Sequence, residues 1–320
     1  MKNGTKFFPT EVIFSVTQKC NLHCEHCYVS RSSQNLDVHD AQKFLESCTP
    51  QIEKIGFTGG EPFLFLDFIL QIVKTSIQKE FLFDRIMTNG LWWQNVEQLQ
   101  KNLQALYDSG FDGKIGLSFD SFHSKNIQKV GDFIKNVLNI FGPSSLEIQT
   151  VIPFAQKNKK ITKTSEFLLL RDLSDFLNAE IKIVQNKKGS GFLTIFSDDF
   201  EIPIFVFSET LTSEQKNVWK SKKWFKEDFC EGPGHILYVH TNGNIAPCCG
   251  FSNENEALFI GNVKQLFPEI LENAQKNKMI KLCFEEGLFS KIKILKKQKK
   301  LCGKTDDICT FCDFYAKSGL

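Results

Sequence analysis

The chain has 320 residues, 42% hydrophobic and 24% charged, the composition of a globular protein with a substantial core and room for about two domains. Its 39 basic and 37 acidic side chains leave a formal charge of +2, which excludes a protein built mainly to bind nucleic acid. No apolar run approaches the roughly 20 residues that a membrane helix needs. The opening Met1-Lys2-Asn3-Gly4-Thr5-Lys6 lacks an apolar export segment, so a cytoplasmic location is expected.

Residues 11–17 are β-branched and aromatic and predict a strand that runs into a first group of cysteines. A helix is predicted over 37–48, then a strand over 54–58 that ends at Gly59-Gly60, and an amphipathic helix over 66–79. A strand over 84–88 stops at Asn89-Gly90. Beyond it the pattern predicts a helix over 96–109, a strand over 114–119, a helix over 124–140, a strand over 146–151, a helix over 164–177 and a strand over 180–184. Strands alternating with helices of this length imply right-handed βαβ units and a parallel sheet. Six units in about 190 residues predict a partial (β/α)6 barrel, with any ligand at the C-terminal strand ends. The rhythm breaks after Lys187-Lys188-Gly189. The expected organisation is a barrel over 1–190, a connector over 191–229 and a small cysteine-rich domain over 230–320.

Eleven cysteines stand at 20, 24, 27, 48, 230, 248, 249, 283, 302, 309 and 312. In a long chain without an export signal, clustered cysteines point to metal or redox chemistry. The run Cys20-Asn21-Leu22-His23-Cys24-Glu25-His26-Cys27 reads C-x3-C-x2-C. A structural zinc site would need a fourth ligand, which His23 or His26 can supply. An iron–sulfur cubane with one iron open to a small molecule needs only the three thiolates. About thirty residues on comes Thr58-Gly59-Gly60-Glu61-Pro62, where paired glycines let the backbone approach a ligand and a carboxylate can receive an ammonium group.

Together these two motifs resemble the radical S-adenosylmethionine (radical SAM) superfamily over roughly residues 10–190. The resemblance implies that Cys20, Cys24 and Cys27 hold a [4Fe–4S] cluster whose open iron chelates SAM, and that Gly59, Gly60, Glu61 and Pro62 take the methionyl ammonium. Asn89 and Ser118 fall at strand ends that line the ribose and carboxylate in that family, although both are also ordinary turn formers. His26 stands where the family usually has an aromatic residue. The implied chemistry is reductive cleavage of SAM to a 5′-deoxyadenosyl radical that abstracts a hydrogen atom, with a flavodoxin- or ferredoxin-type electron donor.

Downstream, Cys230-Glu231-Gly232-Pro233-Gly234-His235 leads to the hairpin signal Asn242-Gly243 and then to Pro247-Cys248-Cys249. The hairpin is expected to bring Cys230 and Cys248 together, and Cys309-Thr310-Phe311-Cys312 adds a C-x2-C knuckle. Four thiolates close either a zinc or an iron–sulfur site. The C-x12-G-x4-C pattern followed by a late C-x2-C is similar to the auxiliary-cluster (SPASM) domain of radical SAM maturases, in its shortened single-cluster "twitch" form. That resemblance implies a second [4Fe–4S] cluster on Cys230, Cys248, Cys309 and Cys312, with Cys302 as an alternative ligand.

Cys249 lies outside those four. Its weak S–H bond can give a hydrogen atom to a carbon radical, or it can serve as a small buried hydrophobe. The Pro-Cys-Cys run, Glu286-Gly287-Leu288-Phe289 and the late knuckle resemble the radical SAM peptide epimerases, in which the second cysteine of such a pair quenches the substrate radical. Carried over, Cys249 is the catalytic donor, and an L-residue of a ribosomally made peptide is inverted to D. The stretch Ser118-Phe119-Asp120-Ser121-Phe122-His123 resembles a Ser-x-Asp-x-x-His run of the same enzymes, which makes Asp120 and His123 candidate substrate contacts or simply a helix start. The competing readings are a dehydrogenase or peptide crosslinking maturase that passes an electron to the auxiliary cluster, and a zinc-binding structural module. Cys48 and Cys283 are expected in the core, and the basic run 291–300 as a solvated helix face that can attract an acidic peptide. The first predicted strand starts about ten residues into the chain. No separate N-terminal peptide-recognition domain is therefore expected, and a peptide must bind directly or through another protein.

Overall fold

The computed structural model describes residues 6–185, 191–230 and 234–319. Three features of the sequence reading lie outside the described residues: most of the opening segment (1–5), the break at 187–189, and residues 231–233 of the second cysteine motif. The strands are β1 (Glu11–Ser15), β2 (Lys54–Thr58), β3 (Leu82–Thr88), β4 (Lys114–Ser118), β5 (Leu146–Ile152), β6 (Glu180–Gln185), β7 (Gly191–Phe196), β8 (Glu201–Ser208), β9 (Ile236–Val239), β10 (Asn244–Ala246) and β11 (Gly261–Asn262). The helices are α1 (Val38–Ser47), α2 (Leu66–Gln78), α3 (Val96–Asp108), α4 (Ile127–Phe141), α5 (Ser165–Phe176), α6 (Phe267–Lys276), α7 (Lys278–Lys281), α8 (Phe289–Lys297) and α9 (Ile308–Lys317). Among the described residues, no helix is long and apolar enough to cross a membrane.

The chain divides into two compact units. One comprises Ser15–Asn35 and Ile55–Glu209. Its strand order is β2-β3-β4-β5-β8-β7-β6, and the pairs β3–β4, β4–β5 and β5–β8 are parallel. The α/β class and the parallel sheet of partial-barrel type are thus borne out. Ile55–Phe57 of β2 and Ile115–Leu117 of β4 are buried without alternation, as expected of parallel strands enclosed on both faces. The helices start where their caps dictate. Asn95, Asn126 and Thr164 accept hydrogen bonds from the amides of Gln98, Lys129 and Phe167. Phe68 and Ile69 of α2, Leu99 of α3, Phe133 of α4 and Leu170 of α5 are all fully buried.

The last parallel position differs from the expectation. The strand predicted over 180–184 exists as β6, but it pairs antiparallel with β7, which is antiparallel to β8. The strand lying parallel beside β5 is β8, in register from Ile148↔Ile204 to Ile152↔Ser208. Residues 191–229, read as a connector, therefore contain two strands. Short links between β6, β7 and β8 permit only antiparallel pairing, because a parallel pair needs a crossover of a dozen or more residues. Pro203 masks β8 in the sequence, since proline lacks the amide that a central strand donates.

The other unit comprises the residues up to Phe14, Leu36–Lys54 and the chain from Thr210 onward. Here β9 lies parallel to β1, and β10 is antiparallel to both β9 and β11. The predicted hairpin at Asn242-Gly243 is present. Gly243 has φ +84° and its amide donates to the carbonyl of His240 at 2.8 Å. Only Leu295 of α8 is buried, so the basic run there is a largely solvated face.

Phe133 gives the fold a direct test. It is fully enclosed and sits against Gly90, the residue that ends the turn after β3. Phe133→Ala is expected to lower the unfolding free energy by about 3–5 kcal/mol in urea titrations. A loss below about 1 kcal/mol would contradict the packing of α4 described above.

Candidate functional site

The first cysteine loop leaves the end of β1 and is tied at once to the end of β2. The Val16 amide donates to the Thr58 carbonyl at 2.8 Å, the Gly60 amide to Thr17 at 2.6 Å and the Glu61 amide to Lys19 at 2.7 Å. The paired glycines are needed for this contact. Gly59 has φ +135°, and a Cβ there would lie 2.6 Å from the Thr17 carbonyl oxygen. A Cβ on Gly60 would overlap the Lys19 carbonyl oxygen. The close backbone approach expected at these glycines is thus an approach to the chain entering the cysteine loop. Fully buried Thr17 braces the same entry, with its hydroxyl donating to Asn35 Oδ1 at 2.6 Å and accepting from the Lys19 amide at 3.0 Å.

Cys20, Cys24 and Cys27 are each partly exposed. The Cys20 sulfur accepts from the Leu22 amide at 3.4 Å and from Asn89 Nδ2 at 3.6 Å. Arg31 donates from Nη2 to the Cys27 sulfur at 3.4 Å. Partial burial, then the neighbouring Cys27 and Cys20 sulfurs, push the Cys24 thiol up to about 11, so the three sulfurs share one local field. Three partly exposed thiols on one loop, close enough for Cys20 and Cys27 to act on Cys24, suit a cluster that leaves one iron free for a small molecule. Asn89 also donates to Asn21 Oδ1 at 2.9 Å, and Asn21 donates to the Leu91 carbonyl at 3.0 Å. Sequence reasoning passed over Arg31 and Asn21. The one available signal was a guanidinium four residues after a presumed thiolate.

Glu61 is completely buried. Its Oε1 accepts from the Thr88 hydroxyl at 2.8 Å and the Phe63 amide at 3.2 Å, and its Oε2 from the Asn89 amide at 2.8 Å. Both oxygens are engaged within the protein, so this side chain fastens the end of β3 to the Gly-Gly turn. Pro62 opens a single 3-10 turn over Pro62–Phe65, and Phe63 stacks on Trp92 with ring centroids 4.6 Å apart. Ser118 ends β4, in register with Gln149 of β5.

Asp120, His123 and His26 come together beside this loop. Asp120 Oδ1 accepts from the amides of Phe122 and His123 at 3.0 and 3.1 Å and meets His123 Nδ1 at 2.8 Å, while Oδ2 accepts from the Val151 amide at 3.2 Å. Burial alone would raise this carboxyl, but the bond and charge of His123 outweigh it and hold the group below its usual range. The His26 ring lies 4.5 Å from Phe122 and 5.1 Å from His123, and its buried Nδ1 has no hydrogen-bond partner among the described residues. Burial lowers the affinity of this imidazole for a proton.

The second cysteine group lies in the other unit. Burial, and then the sulfurs of Cys312 and Cys249, push the Cys230 thiol up to about 12. Burial followed by Cys230, Cys312 and Cys249 raises Cys248 well above the ordinary range. Cys309 is raised by burial, Asp307 and the same neighbours. The structure thus gathers Cys230, Cys248, Cys249, Cys309 and Cys312, while Cys302 is exposed. One expectation is corrected here. Cys283 is buried, but not as plain helical core, because its sulfur lies 3.7 Å from that of Cys312. Its neighbours in sequence are apolar, so nothing there marked it as part of the group. Asn253, fully buried and four residues after Cys249, has neither side-chain polar atom paired among the described residues. Cys48 ends α1, where its thiol donates to the Phe44 carbonyl at 3.5 Å.

Comparison with known proteins adds the following. The family described as the Radical SAM superfamily matches residues 14–175, about half of the chain. The chain is 23% identical over 300 residues to the peptide biosynthesis protein YydG of Bacillus subtilis (strain 168), covering 91% of this chain and 85% of YydG. It is 25% identical over 311 residues to GTP 3′,8-cyclase of Aliarcobacter butzleri (strain RM4018), covering 82% of this chain and 88% of that protein. Among solved structures, Streptococcus suis SuiB aligns at a TM-score of 0.40 and 12% identity over 94% of this chain and 77% of SuiB, a likeness too loose to carry an argument.

Glu61 yields a pH prediction. Burial pushes its carboxyl up to about 7 against the hydrogen bonds from Asn89, Thr88 and Phe63, which favour the charged form. A carboxyl raised in the folded state contributes stability that is fully present below its unfolded value and is lost as pH rises through about 7. Between about pH 5 and pH 8 the cluster-free protein is expected to lose up to about 3 kcal/mol of unfolding free energy, and Glu61→Gln to flatten this slope. Equal slopes in urea titrations of the two proteins would contradict the prediction.

Proposed function

The chain belongs to the radical SAM superfamily, and on that footing we propose that it is a peptide-modifying radical SAM enzyme of the epimerase type. The family implies a [4Fe–4S] cluster and SAM. In this reading Cys20, Cys24 and Cys27 hold that cluster, and Gly59, Gly60 and Pro62 form the backbone that meets the methionyl ammonium, with Glu61 fixing their turn. Asn89 and Ser118 serve the SAM side of the site, and Asp120 and His123 the substrate side. A peptide substrate is supported by the similarity to YydG, which extends over 91% of this chain and so reaches well beyond the family match. That similarity carries the reading.

When bound, the cluster and SAM supply a 5′-deoxyadenosyl radical that takes a hydrogen atom from the substrate. The chain's own part is then to return one. The Cys249 thiol gives its hydrogen atom to the carbon radical, and its sulfur is restored by one proton and one electron from a flavodoxin- or ferredoxin-type donor. Cys230, Cys248, Cys309 and Cys312 bind an auxiliary [4Fe–4S] cluster, which makes residues 230–320 a twitch-type domain. Mutual perturbation of these thiols supports a shared metal centre. Eleven cysteines, most of them clustered at ligand spacings, accord with a reducing, cytoplasmic setting.

The test is anaerobic reconstitution of wild type and Cys249→Ala, followed by SAM cleavage in D2O with short peptides encoded beside the gene. About eight irons per chain are expected. The wild-type product is expected to gain one dalton, whereas Cys249→Ala cleaves SAM without that gain. Loss of two hydrogens from the peptide with both proteins would replace epimerisation by dehydrogenation or crosslinking. Zinc in place of iron would leave only a structural module.

A further inference from the structure

We infer that the Cys283 thiol donates a hydrogen bond to the sulfur of Cys312 and thereby raises the reduction potential of the auxiliary cluster; this rests on the reading of that group as an iron–sulfur centre. The two sulfurs lie 3.7 Å apart, and Cys283 is 4% exposed. Among the described residues its thiol has no other polar neighbour at hydrogen-bonding distance. A second tie runs through the backbone, where the Cys230 amide donates to the Cys283 carbonyl at 2.9 Å. Cys283 is thus fastened to one proposed ligand by its main chain and to another by its sulfur.

Local structure accounts for this placement. Cys283 belongs to a π turn over Leu282–Glu286, the kind of one-turn widening that recurs at functional sites. The turn closes through the Gly287 amide, which donates to the Leu282 carbonyl at 2.9 Å. Gly287 has φ +87°, and a Cβ there would crowd the Asp228 carboxylate. The segment is therefore held in a conformation that an ordinary helix would not give.

Chemistry fixes the direction of the bond. A cysteine that ligates a cluster is a thiolate with lone pairs and no proton, whereas a neutral thiol has one proton to give. Donation to a ligand sulfur favours the reduced, more negative cluster, so the potential rises. Four other cysteines already complete the ligand set, which leaves Cys283 free to act from outside it.

The experiment is an EPR-monitored redox titration of the reconstituted full chain as wild type, Cys283→Ala and Cys283→Ser, with iron and sulfide counted in each. Cys283→Ala is expected to keep about eight irons while the auxiliary signal titrates lower. At a fixed poise the reduced-to-oxidised ratio is expected to fall about tenfold, about 59 mV for a one-electron couple. Cys283→Ser, which keeps a donor, is expected to restore most of the shift, and the signal of the first cluster to stay unmoved in both variants. An unmoved auxiliary potential at full iron would overturn the inference. A fall to about four irons in Cys283→Ala alone would also overturn it, because Cys283 would then be needed to build the cluster. About four irons in the wild type itself would defeat the auxiliary-cluster reading instead, so the two failures are distinguishable.

Discussion

Two backbone hydrogen bonds hold the first cysteine loop, from the Gly60 amide to Thr17 and from the Glu61 amide to Lys19. No residue but glycine fits at position 60, because any Cβ there overlaps the Lys19 carbonyl. From this clamp a chain of polar contacts spreads across the strand ends. The buried Glu61 carboxylate takes up Thr88 and the Asn89 amide, the Asn89 side chain reaches Cys20 and Asn21, and Asn21 reaches the Leu91 carbonyl. The end of β2, the end of β3 and the cysteine loop are therefore one connected object. Preorganisation of this kind is what a site at the C-terminal ends of parallel strands requires if its ligands come from several loops.

Electrostatics follow from the same enclosure. Burial holds the Cys24, Cys230 and Cys248 thiols above the ordinary thiol range, so loading a cluster there must release protons as the thiolates form. At the first loop Arg31 offers a positive partner to Cys27, while Asp120, held ionised by His123, lies on the same side as His26. The second group has the neutral Cys283 thiol beside Cys312, and Asp307 near Cys309 where the first has Arg31.

Much of this was legible in the sequence, for identifiable reasons. Parallel strands covered on both faces give short apolar runs such as Ile55–Phe57 and Ile115–Leu117, and their alternation with capped helices announces the class of fold. The three-cysteine spacing and the Gly-Gly-Glu-Pro turn are local patterns whose meaning survives without coordinates. What escaped was set by tertiary structure. The parallel place beside β5 belongs to β8, which Pro203 disguises, and not to β6. The bonds that the buried Glu61 accepts from Thr88 and the Asn89 amide join residues far apart in the chain, and no local pattern announces them. Cys283 looked like core, and only a π turn, which has no sequence signature of its own, brings it to Cys312.

Amide hydrogen exchange of the cluster-free chain at Gly60 and Glu61 tests most directly whether the clamp exists before any cofactor arrives. The account predicts strong protection at both amides, comparable to that of Phe57 within β2. Exchange at the rate of an unstructured peptide would mean that the loop is organised only by its ligand, and would contradict the claim that the backbone builds this site.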